Sequence, residues 1–140
     1  MKSERIKYDW VGGFHEGLAR VSLNRKWGFI NPQDQVVIPI IYDFVGNFSK
    51  GLAWVELNEK YGFINRQREV VIPIIYDGIS DFSEGLAWAE LKGKHGFVNP
   101  QNQIVIPIIY GDVNSFYEGF ARVNLNGKWG FINPQNQIVI

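Results

Sequence analysis

The sequence predicts an all-β protein made of four copies of one antiparallel unit, and two observations carry that expectation. The first is a motif, Lys26-Trp27-Gly28-Phe29-Ile30-Asn31, which returns as Lys60-Tyr61-Gly62-Phe63-Ile64-Asn65, Lys94-His95-Gly96-Phe97-Val98-Asn99 and Lys128-Trp129-Gly130-Phe131-Ile132-Asn133. The step is 34 residues each time, without insertion or deletion. A period of about 20 to 50 residues marks propellers, solenoids and arrays, whose units bury their apolar faces only against each other. The second observation is that the apolar runs are short, rich in Val, Ile, Trp, Tyr and Phe, and broken by Gly, Asn and Pro. Such runs read as strands joined by hairpins. No window shows the apolar spacing of a helix, so no helix is predicted.

One unit, written from Tyr42 to Ile75, shows the elements in order. It opens on Tyr42-Asp43-Phe44-Val45-Gly46-Asn47-Phe48 and turns at Ser49-Lys50-Gly51. The strand Leu52 to Leu57 follows, then a turn at Asn58-Glu59, the Lys60 to Asn65 motif, a second turn, and Val70-Val71-Ile72-Pro73-Ile74-Ile75. The equivalent turn Asn126-Gly127 is the strongest hairpin signal, because both residues accept positive φ. Gly17, Gly51, Gly85 and Gly119 are expected to need a glycine conformation after their turns.

The second strand alternates. Ala19, Val21 and Leu23 lie on one face, as do Ala53, Val55 and Leu57, Ala87, Ala89 and Leu91, and Ala121, Val123 and Leu125. That face is predicted to be core. The last strand is apolar on both faces and is expected to be buried on both. Its Pro39, Pro73 or Pro107 cannot donate to a ladder, which places it at a sheet edge or a bulge. Gly28, Gly62, Gly96 and Gly130 sit within strands, where an aromatic ring from a neighbouring unit is expected to approach.

The Lys-Trp-Gly-Phe-Ile-Asn motif, with Glu-Gly-Leu-Ala before it and Val-Ile-Pro and Tyr-Asp after it, resembles the WG (KWG) repeat family. The resemblance covers Tyr8 to Ile140 in four in-phase copies. It departs from the pattern at Tyr61 and His95 for the tryptophan, Lys50 for the glutamate of Glu16, Glu84 and Glu118, and Gly111 for the aspartate after Tyr110. The family is found in tandem in many bacterial proteins, mostly of unassigned function. The resemblance implies a repeat scaffold and brings no catalytic residues.

The chain therefore reads as one repeat domain over 1–140, with units 8–41, 42–75, 76–109 and 110–140. The last unit lacks only the positions that match Pro73-Ile74-Ile75, and Arg5-Ile6-Lys7 fall at those positions by period. An open array commonly carries polar capping units, and a strand such as Ile138-Val139-Ile140 would be adhesive if unpaired. A closed, propeller-like ring, with residues 1–7 completing the last sheet, is favoured over an open β-solenoid-like array. Homo-oligomerisation through the uncapped ends is the third arrangement, and a fragment of a longer array would look the same.

Composition narrows the partners. The 140 residues include 14 basic and 14 acidic side chains, 46% hydrophobic and 15% aromatic residues, and no cysteine. Balanced charge offers no footprint for nucleic acid. The absence of cysteine excludes disulfides and thiolate metal sites. Residues 1–7 are charged and lack a signal-peptide core. No apolar run approaches the roughly 20 residues that span a bilayer. No membrane association is expected, and the cytoplasm is the default location.

No catalytic, cofactor or metal site is expected either. His95 occupies the aromatic column and reads as a packing residue, and His15 lies in a polar turn; they share no ligand spacing. Glu16, Glu84 and Glu118 read as turn residues that bind nearby amides, and Asp9, Asp43 and Asp77 as turn formers. Glu56 and Glu90, beside the tryptophans, are the acids that an enzymatic reading would test. The variable row Arg20, Trp54, Trp88 and Arg122 differs, since repeat proteins place partner-specific residues where a uniform scaffold varies. Trp and Arg are also the residue types that anchor interfaces. Packing between units is the structural alternative for the same row. The sequence reading is a non-catalytic binding or scaffold module with a protein partner; the alternative is a carbohydrate-binding module with Trp54 and Trp88 as stacking platforms.

Overall fold

A computed structural model describes residues 6–140. All of its regular structure is β, in four antiparallel sheets. The first holds β1 (Trp10–His15), β2 (Leu18–Leu23), β3 (Lys26–Ile30) and β4 (Val36–Tyr42) in chain order. The second holds β5 (Phe44–Val45), β6 (Leu52–Leu57), β7 (Lys60–Asn65) and β8 (Val70–Tyr76). The third holds β9 (Gly78–Ile79), β10 (Ala87–Leu91), β11 (Lys94–Val98) and β12 (Ile104–Tyr110). The fourth holds β13 (Asp112–Val113), β14 (Ala121–Leu125) and β15 (Lys128–Ile132). Ile138 bridges to Ile132, and Val139 N donates to Phe131 O at 2.9 Å, so the last residues run beside β15.

The turns behave as their residues demand. Asn126 and Gly127 have φ of 54° and 83°, and Lys92 and Gly93 have 50° and 81°. Arg25 and Glu59 hold the glycine place of that turn at 67° and 66°, a left-handed conformation that costs a side chain about 1–2 kcal/mol. The motif asparagine organises the next turn. Asn31 Oδ1 accepts from the amides of Gln33 and Gln35 at 3.1 and 2.9 Å, and Asn65, Asn99 and Asn133 repeat the pattern.

The predicted core face of the second strand is buried at its first two positions, while Leu23, Leu57 and Leu91 at its end are half-buried and Leu125 is exposed. Ala19, Val21, Ala53, Val55, Ala87, Ala89, Ala121 and Val123 are all buried. Three apolar clusters run across consecutive sheets. One joins Leu18, Phe29 and Ile38 to Val45, Phe48 and Val55; the second joins Phe63 and Ile72 to Ala87 and Val98; the third joins Phe97 and Ile106 to Val113 and Phe116. A ring contact lies inside each: Phe29 with Phe48 at 4.7 Å, Phe63 with Phe82 at 4.8 Å, and Phe97 with Phe116 at 4.8 Å.

The apolar last strand is only half buried, which corrects the expectation of burial on both faces. β4, β8 and β12 each pair on one side alone. Ile38, Ile72 and Ile106 are fully buried while Val36, Ile41, Val70, Ile75, Ile104 and Ile109 are exposed. The physical reason is position: as the outer edge of its sheet, the strand has no layer on its far side. The proline sits both at that edge and in a bulge, since the register shifts between Trp27↔Tyr42 and Phe29↔Ile38.

That bulge also explains the motif glycine. A Cβ on Gly62 would lie 2.4 Å from Ile72 O and 2.8 Å from Pro73 O; Gly28 and Gly96 face the same carbonyls of their own sheets. The approaching group is therefore backbone of the same sheet, not an aromatic ring of a neighbouring unit. Glycine and proline form one device, in which the bulge turns carbonyls onto the preceding strand and the glycine leaves room for them.

Within one chain the described residues form three sheet-to-sheet interfaces. Among them no backbone hydrogen bond and no core cluster joins the fourth sheet to the first. Of the segment expected to complete the last sheet, residues 1–5 lie outside the described residues. Ile6 is exposed, and Lys7 reaches Asp34 of the first sheet at 3.0 Å.

Gly62→Ala is expected to lower stability in urea unfolding by roughly 1–3 kcal/mol, because backbone cannot swing aside as a side chain can. A neutral substitution would show that the bulge relaxes freely.

Candidate binding surface

The polar columns of the repeat turn out to be fasteners between units. Lys26 Nζ lies 2.5 Å from Asp43, and Lys60 pairs with Asp77 in the same way. Each aspartate also caps the turn of its own sheet, accepting from Asn58 N at 2.7 Å or Lys92 N at 2.8 Å. The lysine hydrogen bond, with the backbone bond behind it, holds both carboxyls below the ordinary 3.8. Their contribution is thus complete above that pH and is lost as pH falls through the lowered values. Asp9 accepts from Asn24 N at 2.7 Å in the same manner.

Glu16 and Glu84 bind amides, as expected, but those of the next unit, and Glu118 accepts from none among the described residues. Glu16 takes the amides of Lys50 and Gly51, and Glu84 those of Glu118 and Gly119. Lys50 stands where the second sheet would need this acid. That interface relies on Phe63–Phe82 and Lys60–Asp77 instead. His95 packs edge-on against Trp88 at 5.3 Å, with Nε2 3.7 Å from Glu90. Glu56 lies directly across the ladder from Tyr61; burial, with this carboxylate beside it, raises the Tyr61 hydroxyl above its ordinary pKa. Among the described residues no three metal-type side chains cluster.

The structure splits the variable row into three settings. Arg20 donates to Val45 O at 3.2 Å, and its guanidinium lies 5.0 Å from the Trp10 ring, 5.8 Å from Trp27 and 5.9 Å from Phe44. Trp54 is half-buried, stacked on Phe44 at 5.9 Å and tilted against Tyr61 at 6.0 Å, and its indole fills the space over Gly46. Trp88 is half-buried beside His95 and Gly78. Arg122 is exposed, 5.0 Å over Trp129. Arg20 and Trp54 thus meet through Phe44, in a continuous ladder Trp10–Trp27–Phe44–Trp54–Tyr61 across the first two sheets. Trp88 and Arg122 stand outside it.

Reasoning from the sequence missed Trp10 and Phe44, which share one column with Gly78 and Asp112. The variation in that column was the available signal. A cavity of about 570 Å³ between loops of the first three sheets was also missed. His15, Asn47, Lys50, Asp81 and Phe82 are among its walls, and protein atoms around the Asp81 carboxyl push its pKa up.

A sequence profile described as "WG containing repeat" matches residues 5–27, 27–61, 61–94, 96–129 and 129–140. The chain belongs to the WG-repeat family. No curated protein matches it. Among solved structures the WG-repeat chain is similar to "KlHsv2 with loop 6CD replaced by a Gly-Ser linker", at TM-score 0.55 and 12% identity. That match covers 92% of this chain and 51% of the other, so the WG-repeat chain spans about half the length of that structure. It is less similar to a hemopexin fold protein, CP4, from cow pea, at TM-score 0.36 and 9% identity, over 91% of this chain and 86% of the other. A plant lectin with two metal binding sites from Cicer arietinum gives TM-score 0.36 and 10% identity, over 89% and 86%. The four-sheet arrangement of this WG-repeat chain is propeller-like.

Trp54→Ala and Trp88→Ala are each expected to cost roughly 2–3 kcal/mol in denaturant unfolding, somewhat less than the 3–5 kcal/mol of a fully buried ring. A loss within about 0.5 kcal/mol would mark these rings as free surface.

Proposed function

We propose that this WG-repeat chain is a non-catalytic binding or scaffold module whose partner is a protein. The observation that carries the reading is the ladder of Trp10, Trp27, Phe44 and Trp54 around Arg20. Its rings are held by each other and Arg20 is held by the Val45 carbonyl, yet Trp10 and Phe44 remain exposed. Pre-ordered aromatic and arginine side chains bind with little further loss of entropy, and they are the usual anchors of protein interfaces. Lys26, Lys60, Asp43, Asp77, Glu16 and Glu84 are occupied in fastening sheets, which supports a scaffold over an enzyme. The carbohydrate reading needs open ring faces at Trp54 and Trp88, and the contacts of Trp54 with Phe44 and of Trp88 with His95 favour it less.

The test compares proteins retained by the immobilised chain with those retained by a Phe44→Ser, Arg20→Ser variant whose circular dichroism matches wild type. A protein held by the first and released by the second is the expected result. Equal retention by both would remove the ladder as the binding surface. Signal on a glycan array that is lost in Trp54→Ala would favour the carbohydrate alternative.

A further inference from the structure

The outward faces of the first and fourth sheets carry two halves of the contact set that joins the other sheets. Between the first and second sheets that set has four parts. Phe29 meets Phe48, Trp27 stacks on Phe44 at 4.7 Å, Lys26 pairs with Asp43, and Glu16 accepts from the amides of Lys50 and Gly51. Shifted to the fourth sheet by the repeat period, the leading members are Phe131, Trp129, Lys128 and Glu118. The positions that would receive them are those of Phe14, Trp10, Asp9 and the amides of Glu16 and Gly17 in the first sheet. All four types of contact recur, including the carboxylate for the lysine.

Exposure shows that these halves are not joined within the chain. Phe48 and Phe116 are buried, whereas Phe14 in the same column is 49% exposed. Trp129 is 50% exposed and borders an apolar groove of about 210 Å³ together with Lys128, Phe131 and Ile140. Large apolar faces of this kind mark interaction sites.

We propose that the fourth sheet of one chain docks on the first sheet of a second copy, and that two copies close eight sheets into one ring. Phe131 packs on the partner subunit's Phe14, and Trp129 stacks on the partner subunit's Trp10. Lys128 pairs with the partner subunit's Asp9, and Glu118 accepts from the amides of the partner subunit's Glu16 and Gly17. Two features favour a second copy over other occupants. The receiving half matches the repeat's own interface in shape, aromatic pairing and charge. The four sheets also superpose on about half of a propeller-like chain, so that chain holds more of the ring than one copy of this chain supplies. A ring of two copies contains this interface twice and leaves neither face open, which satisfies the closure that head-to-tail contacts otherwise lack.

Sedimentation equilibrium of the 140-residue chain tests this directly. The expected mass is twice the 16.1 kDa of one chain. Phe14→Glu alters a side chain exposed in the single chain, so folding should persist while the dimer dissociation constant rises at least tenfold, as for a lost anchor. Lys128→Asp and Asp9→Lys should each weaken the dimer at low salt, and both in one chain should restore it, because the pair is rebuilt with reversed charge. A monomer at every concentration up to the sub-millimolar range would overturn the proposal. So would filaments of growing mass, or a dimer indifferent to all of these changes.

Discussion

The fold depends on one contact, repeated three times: a motif phenylalanine meeting the phenylalanine 19 residues ahead, in the next sheet. Phe29–Phe48, Phe63–Phe82 and Phe97–Phe116 keep centroid distances of 4.7 to 4.8 Å although the surrounding side chains vary. Each four-stranded sheet is too small to bury an apolar face alone. The ring pair sets how the next sheet sits, and the alanine-valine face then closes against it. Aromatic pairs of this kind add about 0.5–1.5 kcal/mol beyond the area they bury. The polar fasteners lie around this contact and vary without breaking it. Lys50 removes the glutamate from one interface and Gly111 removes the aspartate from another, and both interfaces still form.

The proposed function rests on the same economy. When most fixed side chains are committed to joining units, specificity is left to columns that the joins do not need. The column Trp10, Phe44, Gly78, Asp112 and the row Arg20, Trp54, Trp88, Arg122 are adjacent on the sheets and vary together. In the first two sheets the rings and the guanidinium gather into one ladder. In the third, Gly78 makes room beside Trp88, and in the fourth Arg122 stands over Trp129. A uniform frame with one graded surface is what the proposed binding or scaffold role would use.

Much of this was legible in the sequence because it is local or strictly periodic. The 34-residue step, the Asn-Gly and Lys-Gly turns, the core face from Ala19 to Val123 and the edge proline all depend on a residue's own conformation or on its strand pair. Contacts set by the rotation of one sheet against the next were not legible. Glu16 was expected to bind amides, but a turn pattern cannot show that they belong to Lys50 and Gly51. The sequence suggests a ring against Gly62 because the carbonyl of Ile72 reaches it only through the bulge. The last strand looked buried on both faces because its composition reports hydrophobicity and not which side has a neighbour.

The ring pair can be examined most directly by a double-mutant cycle on Phe63 and Phe82, each changed to Leu to limit cavity effects. Each single change is expected to lower stability by about 1 kcal/mol or more, and the pair to cost less than the sum by about 0.5–1.5 kcal/mol, the coupling of an aromatic contact. Additive losses would contradict it, because the two rings would then act independently and something else would set how one sheet packs on the next.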